Sequence, residues 1–336
     1  MDRVIAAGIL AMVFSILAGP KFIDFLRDRE LGQQIREEGP AGHVVKQGTP
    51  TMGGLLMLIG AAIPFLLLSK HTLPALTVFA VAIGCGAVGF LDDFIKLRHR
   101  RSLGLNARWK LLLLAGITFF LGWAAVHEDL DTTLYVPAVG TLDLWWAWYG
   151  LLFLIVAGAA NGVNLTDGID GLAAGTGIIA LITFTAINIF TFIRLRQVDE
   201  PNQVYLDMAI LGGALVGGAI GFLWFNAFPA DVFMGDTGSM AIGGALGAFA
   251  VMTKTELLLL LVGGIFVIEA LSVMLQVFSF KYWGKRIFLM APIHHHFEMK
   301  AWSETKIMVR FWILGAILCA SAFAVYFQYF FKFPRS

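Results

Sequence analysis

The chain has 336 residues, 58% of them hydrophobic and only 14% charged, and its mean hydropathy is +0.79. A soluble domain carries about 25% charged residues, so there is too little polar surface to cover a water-soluble globule, and lipid must be the solvent for much of the chain. The formal net charge of +1 excludes the global basic field expected of a nucleic-acid partner.

A hydrocarbon core about 30 Å thick takes roughly 20 apolar residues as a helix. Apolar runs of that order lie near 4–20, 51–69, 73–91, 111–126, 145–160, 171–193, 206–225, 239–253, 257–280 and 307–331. They predict an all-α polytopic integral membrane protein of about ten transmembrane helices. The first run follows Met1-Asp2-Arg3 as a signal peptide would, but it is as long as a span and no secreted domain follows it. Between the fourth and fifth runs, Thr132, Thr133, Tyr135 and Val136, then Pro137 and Gly140, then Thr141 and Leu142 predict a short β-hairpin. The fifth run opens on Trp145, Trp146 and Trp148, the composition of an interfacial belt. Gly263-Gly264 marks a place for a bend or break in the ninth. Cys85 and Cys319 sit inside apolar runs without metal-ligand spacing and read as small core residues. With no soluble domain, low-complexity segment or clear repeat, residues 1–336 read as a single transmembrane domain.

Charge placement orients the spans. The loops after spans 1, 3 and 9 hold sixteen cations: Lys21, Arg27, Arg29, Arg36 and Lys46; Lys96, Arg98, Arg100, Arg101, Arg108 and Lys110; Lys281, Lys285, Arg286, Lys300 and Lys306. The opposite side holds seven: Arg3, Lys70, Arg194, Arg196, Lys254, Lys332 and Arg335. The positive-inside rule then puts the richer loops in the cytoplasm and both termini and the hairpin in the periplasm.

Four polar motifs fall on the cytoplasmic side: Leu91-Asp92-Asp93-Phe94-Ile95-Lys96, Asn161 through Gly171, Asn226 through Phe233-Met234-Gly235-Asp236-Thr237-Gly238, and Pro292-Ile293-His294-His295-His296-Phe297-Glu298. Asp167, Asp170 and Asp236 precede helices, so each is either an N-terminal cap or a functional group. Asp92-Asp93 closes a span, where the helix dipole disfavours anions and two adjacent carboxylates repel. Folding does not explain that pair, whereas a cation does, with Lys96 one turn on as a partial structural answer. Gly168, Gly171, Gly235 and Gly238 allow backbone N–H groups to approach a ligand, and turns before helix N-termini suit phosphate. Carboxylates beside phosphate point to Mg²⁺. The basic stretch Lys96–Lys110 is either a plain positive-inside loop or a set of phosphate contacts. For the histidines, zinc is disfavoured because adjacent His side chains rarely converge on one ion; a structural role and hydrogen bonding to a phosphate or sugar both stand. The residues thus describe Mg²⁺-assisted phosphoryl chemistry at the membrane face on a lipidic substrate.

In this order the motifs, together with Lys46-Gln47-Gly48-Thr49-Pro50-Thr51-Met52-Gly53-Gly54 and Ala107-Arg108-Trp109-Lys110, resemble the phospho-N-acetylmuramoyl-pentapeptide-transferases, within the superfamily of polyprenyl-phosphate N-acetylhexosamine-1-phosphate transferases. The match runs essentially the whole length; the Gly48–Gly54 and Pro292–Glu298 segments mark this branch. The resemblance implies transfer of phospho-MurNAc-pentapeptide from UDP-MurNAc-pentapeptide to undecaprenyl phosphate, giving lipid I and UMP. It also implies a Mg²⁺ cofactor, a homodimer and a place in the bacterial inner membrane with the active site on the cytoplasmic face. Carried over residue by residue, Asp236 is the metal ligand and Asp92 and Asp93 the essential pair. Lys110 and the histidines His294, His295 and His296 are catalytic. Asn161, Asn164, Asp167, Gly168, Ile169 and Asp170 belong to the uridine loop, Phe233 stacks on the uracil, and Asn226 and Lys96 also contact substrate. Ile169 and Ser303 depart from the family's usual Leu and Pro, away from any reacting group. The rival readings are a GlcNAc-1-phosphate transferase, disfavoured by Pro292–Glu298, and an ion-coupled transporter, disfavoured because Glu269 is the main ionisable group inside a span.

Overall fold

A computed structural model of the chain describes residues 1–29, 48–99, 104–197 and 203–330. Arg36, Lys46, Gln47, Arg100, Arg101, Lys332 and Arg335, which the sequence reading used, lie outside the described residues.

The chain folds into helices α1 (Asp2–Asp28), α2 (Gly54–Leu68), α3 (Leu73–Arg98), α4 (Ala107–His127), α5 (Ala147–Thr166), α6 (Leu172–Gln197), α7 (Gln203–Asn226), α8 (Gly235–Met252), α9 (Leu259–Val262), α10 (Gly264–Trp283), α11 (Ile293–Glu298) and α12 (Glu304–Val325). A π-helical turn, Tyr326–Phe330, ends the described chain. Among the described residues, eight helices are long and apolar enough to cross a membrane: α1, α3, α4, α5, α6, α7, α10 and α12 with its π-helical extension. The other two expected spans fall on α2, which is apolar but shorter, and on α8. Large apolar side chains such as Leu17, Phe119, Leu154 and Trp224 stay more than two-thirds exposed, as a lipid-facing surface requires.

The least lipid-exposed helix organises the rest. Every residue of α8 from Thr237 to Met252 is buried, packed chiefly against α3 and α5 and also against α2 and α6. Helices inside a bilayer gain little from the hydrophobic effect and associate by close packing at small residues. Gly89 of α3 shows how close: a Cβ there would lie 2.1 Å from the carbonyl oxygen of Asp236. Thus α8 is held against α3 at the level of Asp236.

Two expectations are corrected, and one break falls where the sequence marks it. The fifth helix starts at Ala147 and runs to Thr166, so Asn161 and Asn164 lie on its last turns rather than in a loop. Trp145 and Trp146 are exposed as a belt requires, but Trp148 is fully buried in the core. The ninth span is two helices, interrupted at Gly263.

The predicted hairpin is present. Strands β1 (Thr133–Val136) and β2 (Gly140–Asp143) pair antiparallel, Thr133 opposite Asp143 and Val136 opposite Gly140. Lys254, just past α8, ties it down: its Nζ donates to the Asp131 and Thr133 carbonyls and pairs with the Asp131 carboxylate at 2.9 Å. The hairpin therefore sits at the C-terminal end of α8, opposite the end that carries Asp236. Cys85 and Cys319 are buried free thiols, as expected.

Candidate active site

The last turns of α3 carry Asp92 and Asp93, both 4% exposed. The first turn of α8 carries Asp236. One oxygen from each carboxylate lies within 4.8 Å of the others. Two ammonium groups enter the same cluster. Lys96 Nζ lies 2.6 Å from Asp92 Oδ2 and 3.1 Å from Asp236 Oδ1; Lys110 Nζ, from the first turn of α4, lies 2.9 Å from Asp236 Oδ2 and 3.8 Å from Asp92 Oδ1. Asp92 Oδ1 also accepts from the backbone N–H of Leu105 at 2.8 Å, which brings the approach to α4 into the cluster.

Asp93 has a separate job. Its Oδ1 accepts from Asp236 N at 3.2 Å, and its Oδ2 accepts from Thr237 N at 3.0 Å and Thr237 Oγ1 at 2.8 Å. It thereby caps α8 from another helix, satisfying N–H groups that the first turn leaves unpaired. Folding thus does explain Asp93, contrary to the expectation from sequence. The capping alternative for Asp236 falls by the same observation, because its side chain points to the lysines. Asp167 and Asp170 lie in the turn between α5 and α6. Asp167 is the residue that ends α5, and Asp170 Oδ2 accepts from Ala230 N at 3.1 Å, linking the α5–α6 turn to the α7–α8 loop.

The two loops are braced further. Asn226 is buried; its Oδ1 accepts from Gly171 N at 3.0 Å and its Nδ2 donates to the Val232 carbonyl at 2.9 Å. Asn164 Nδ2 donates to Ser239 Oγ at 3.0 Å, and Asn161 Nδ2 donates back to the Ala157 carbonyl at 2.8 Å. Ile169 is buried in a small apolar cluster with Leu172, Ile265, Ile307 and Phe311. Phe233 is gripped by its backbone: its N–H donates to the Pro50 carbonyl and its carbonyl accepts from Gly53 N, both at 2.8 Å. The 48–54 segment is thus the brace that sets Phe233, a role its sequence did not reveal. Burial pushes the Asp167 carboxyl up to about 8, and the charges of Asp236, Asp93 and Asp170 act in the same direction against the Gly235 N–H.

The histidines do not converge. His294 is fully buried, its Nδ1 3.1 Å from Glu269 Oε1 of α10. His295 Nδ1 pairs with Glu298 one turn on. His296 Nδ1 accepts from Leu289 N at 3.1 Å, and desolvation, aided by Lys300, holds its pKa below the ordinary histidine value. The Glu269 contact was missed because Glu269 and His294 lie on separate helices.

Three carboxylates supply hard oxygen donors of the type Mg²⁺ takes. The two ammonium groups among the same oxygens show that the cluster is built around positive charge. The donor set of Asp92, Asp93 and Asp236 therefore fits a divalent cation.

A membrane-helix bundle that gathers carboxylates, lysines and glycine-bearing turns at one end defines a polytopic transferase acting on phosphorylated groups. The sequence profile of glycosyl transferase family 4 matches residues 75–254, and the phospho-N-acetylmuramoyl-pentapeptide-transferase signature 1 matches residues 46–58. Proteins named phospho-N-acetylmuramoyl-pentapeptide-transferase are similar over nearly the full length. That of Halalkalibacterium halodurans is 46% identical over 94% of this chain and 94% of its own. That of Rubrobacter xylanophilus is 44% identical over 97% and 98%, and that of Desulfitobacterium hafniense 44% over 95% and 96%. The chain belongs to the phospho-N-acetylmuramoyl-pentapeptide-transferase family.

Proposed function

We propose that the chain transfers phospho-MurNAc-pentapeptide from UDP-MurNAc-pentapeptide to undecaprenyl phosphate, giving lipid I and UMP for peptidoglycan synthesis. The observation that carries this reading is the meeting of Asp92, Asp236, Lys96 and Lys110 from α3, α4 and α8. Family membership supports the choice of substrates. The excess of cations in the loops at that end supports a cytoplasmic site, periplasmic termini and residence in the bacterial inner membrane.

In this mechanism Asp236 would hold Mg²⁺, which when bound would supply positive charge to the diphosphate and to the leaving UMP. Lys96 and Lys110 offer their ammonium groups to phosphate oxygens. Asp92, steadied by Lys96 and Leu105 N–H, orients the undecaprenyl phosphate oxygen and accepts its proton when it carries one. That oxygen bonds to the sugar-linked phosphorus as the bond from that phosphorus to the UMP oxygen breaks. The α5–α6 turn from Asp167 to Asp170, reached by Asn161 and Asn164, forms the nucleotide wall, and Phe233 stacks on the uracil. Asn226 acts by bracing the two loops. The α11 histidines serve through their own partners rather than as a joint ion site. A homodimer is part of the reading, to be checked by mass measurement in native lipid discs.

The test is UMP release by the purified protein with UDP-MurNAc-pentapeptide and undecaprenyl phosphate, with and without Mg²⁺. Release from UDP-GlcNAc instead would favour the sister transferase. Full turnover by Asp92→Asn at neutral pH, or ordinary Mg²⁺ dependence in Asp236→Ala, would sink the corresponding role.

A further inference from the structure

Glu269 lies inside a membrane-spanning helix, is fully buried, and has no role in the mechanism above. Its surroundings are apolar: Ile265 one turn earlier on α10 belongs to the cluster of Ile169, Leu172, Ile307 and Phe311, with Ile293 packed against it. A buried carboxylate in such a place is costly unless paired. Its one polar approach among the described residues is His294, at 3.1 Å from Nδ1, and that ring is itself fully buried. Neither carboxylate oxygen of Glu269 and neither ring nitrogen of His294 has a hydrogen-bond partner among the described residues, so the pair is a contact at ion-pair distance, and the ring nitrogen away from Glu269 is Nε2. It abuts the nucleotide turn: a Cβ on Gly168 would stand 2.3 Å from it. The α10 backbone is also close to α5 one turn before Glu269, where a Cβ on Gly162 would lie 3.3 Å from Phe266.

We infer that Glu269 is a positioning residue that acts through His294, the two forming a buried prop beneath the Asp167–Asp170 turn and setting its fit to the nucleotide sugar. The Glu269 carboxylate, 3.1 Å from Nδ1, fixes where the ring sits. The ring edge carrying Nε2 then supports Gly168 from below. Gly168 is glycine because the ring occupies the space a side chain would need, rather than to admit a ligand to its N–H. Since 0% of His294 is exposed, the ring stands behind the turn and does not itself reach solvent in this structure. A prop of this kind acts on binding of the nucleotide sugar and leaves the reacting groups of α3, α4 and α8 in place.

This rests on the transferase reaction proposed above, so wild-type UMP release is the control; if the wild type releases none, that reading fails and not this one. Given an active wild type, Glu269→Leu is expected to raise KM for UDP-MurNAc-pentapeptide about tenfold or more, with kcat per folded molecule and KM for undecaprenyl phosphate little changed. Glu269→Gln, which keeps the size and polarity of the side chain beside Nδ1, should return KM most of the way. An unchanged KM in Glu269→Leu, or a fall in kcat with KM constant, would overturn the inference. Should Glu269→Leu not fold, the cycle of Gly168→Ala, His294→Ala and the double variant decides. Direct titration with UMP should show the double variant binding no worse than His294→Ala alone, because the methyl and the ring compete for one space. Strictly additive losses would refute the contact.

Discussion

If Asp93 caps α8 from α3, its removal should destabilise the protein even when no metal or substrate is present. Asp93→Ala deletes the acceptor of Asp236 N, Thr237 N and Thr237 Oγ1. Loss of an N-cap costs about 0.5–2 kcal/mol, and a buried N–H left without an acceptor adds about 1–3 kcal/mol. Against this stands relief of repulsion from Asp92 and Asp236, so a net loss of about 2–4 kcal/mol is expected. Asp93→Asn keeps one acceptor oxygen and should lose about half as much. Thr237→Val, which removes only the hydroxyl donor, should lose about 1 kcal/mol. The assay is thermal unfolding of the detergent-solubilised protein in EDTA. The competing idea, that Asp93 exists only to hold a cation, predicts the opposite sign, because without the cation Asp93→Ala removes an uncompensated buried charge. An alanine variant as stable as the wild type, or more so, in EDTA would therefore refute the cap.

Lys96→Met and Lys110→Met should each bind Mn²⁺ alone several-fold more tightly than the wild type, since each removes an ammonium within about 3 Å of Asp236 oxygens; spin-resonance titration reads this, and unchanged or weaker affinity speaks against competition for the cluster. Asp167 binds its proton more tightly folded than unfolded, so the stability it contributes is present below the ordinary carboxylate value and is lost as pH rises through about 8. Metal-free unfolding should accordingly show up to about 1.4 kcal/mol of loss per pH unit across that window, flattened in Asp167→Asn. Gly89→Ala should destabilise strongly and weaken Mn²⁺ binding by pushing the Asp236 backbone away, whereas Gly116→Ala, with nothing within 4 Å of the new methyl, should do neither.

Much of the fold was legible because hydropathy alone marks where lipid is the solvent. All ten apolar runs carry helix, and the hairpin and the Gly263-Gly264 break fall where the sequence put them. The errors share a cause. Hydropathy marks burial in lipid and not helix ends, so α5 continues through Asn161 and Asn164, whose side chains bond within the helix and to Ser239. Trp148 has belt composition but turns inward beneath Lys254, whose ammonium lies 5.8 Å from its ring centroid. Only packing shows which face of a short tryptophan cluster meets lipid.

The site was legible as residues but not as partnerships, and capping shows why. Reading locally assigns a cap to an aspartate just before its own helix, which made Asp167, Asp170 and Asp236 the candidates. In the structure Asn106 and Ser303 cap α4 and α12 locally, but the acceptors for the first turn of α8 come from elsewhere in the chain. Asp93 serves α8 from more than 140 residues away. At the opposite end Asp207, fully buried in α7, likewise accepts from Lys70 N and Thr72 N, in the turn before α3, both at 3.1 Å. A helix whose first turn is buried against other helices has no water to satisfy its N–H groups, so a neighbouring helix must supply the acceptor. This arrangement frees the local aspartate. With Asp93 holding the α8 backbone, Asp236 can turn its carboxylate toward Lys96 and Lys110 and into the cluster. The adjacent pair Asp92-Asp93 is thus two residues with divided work, one facing the lysines and one facing the helix it positions.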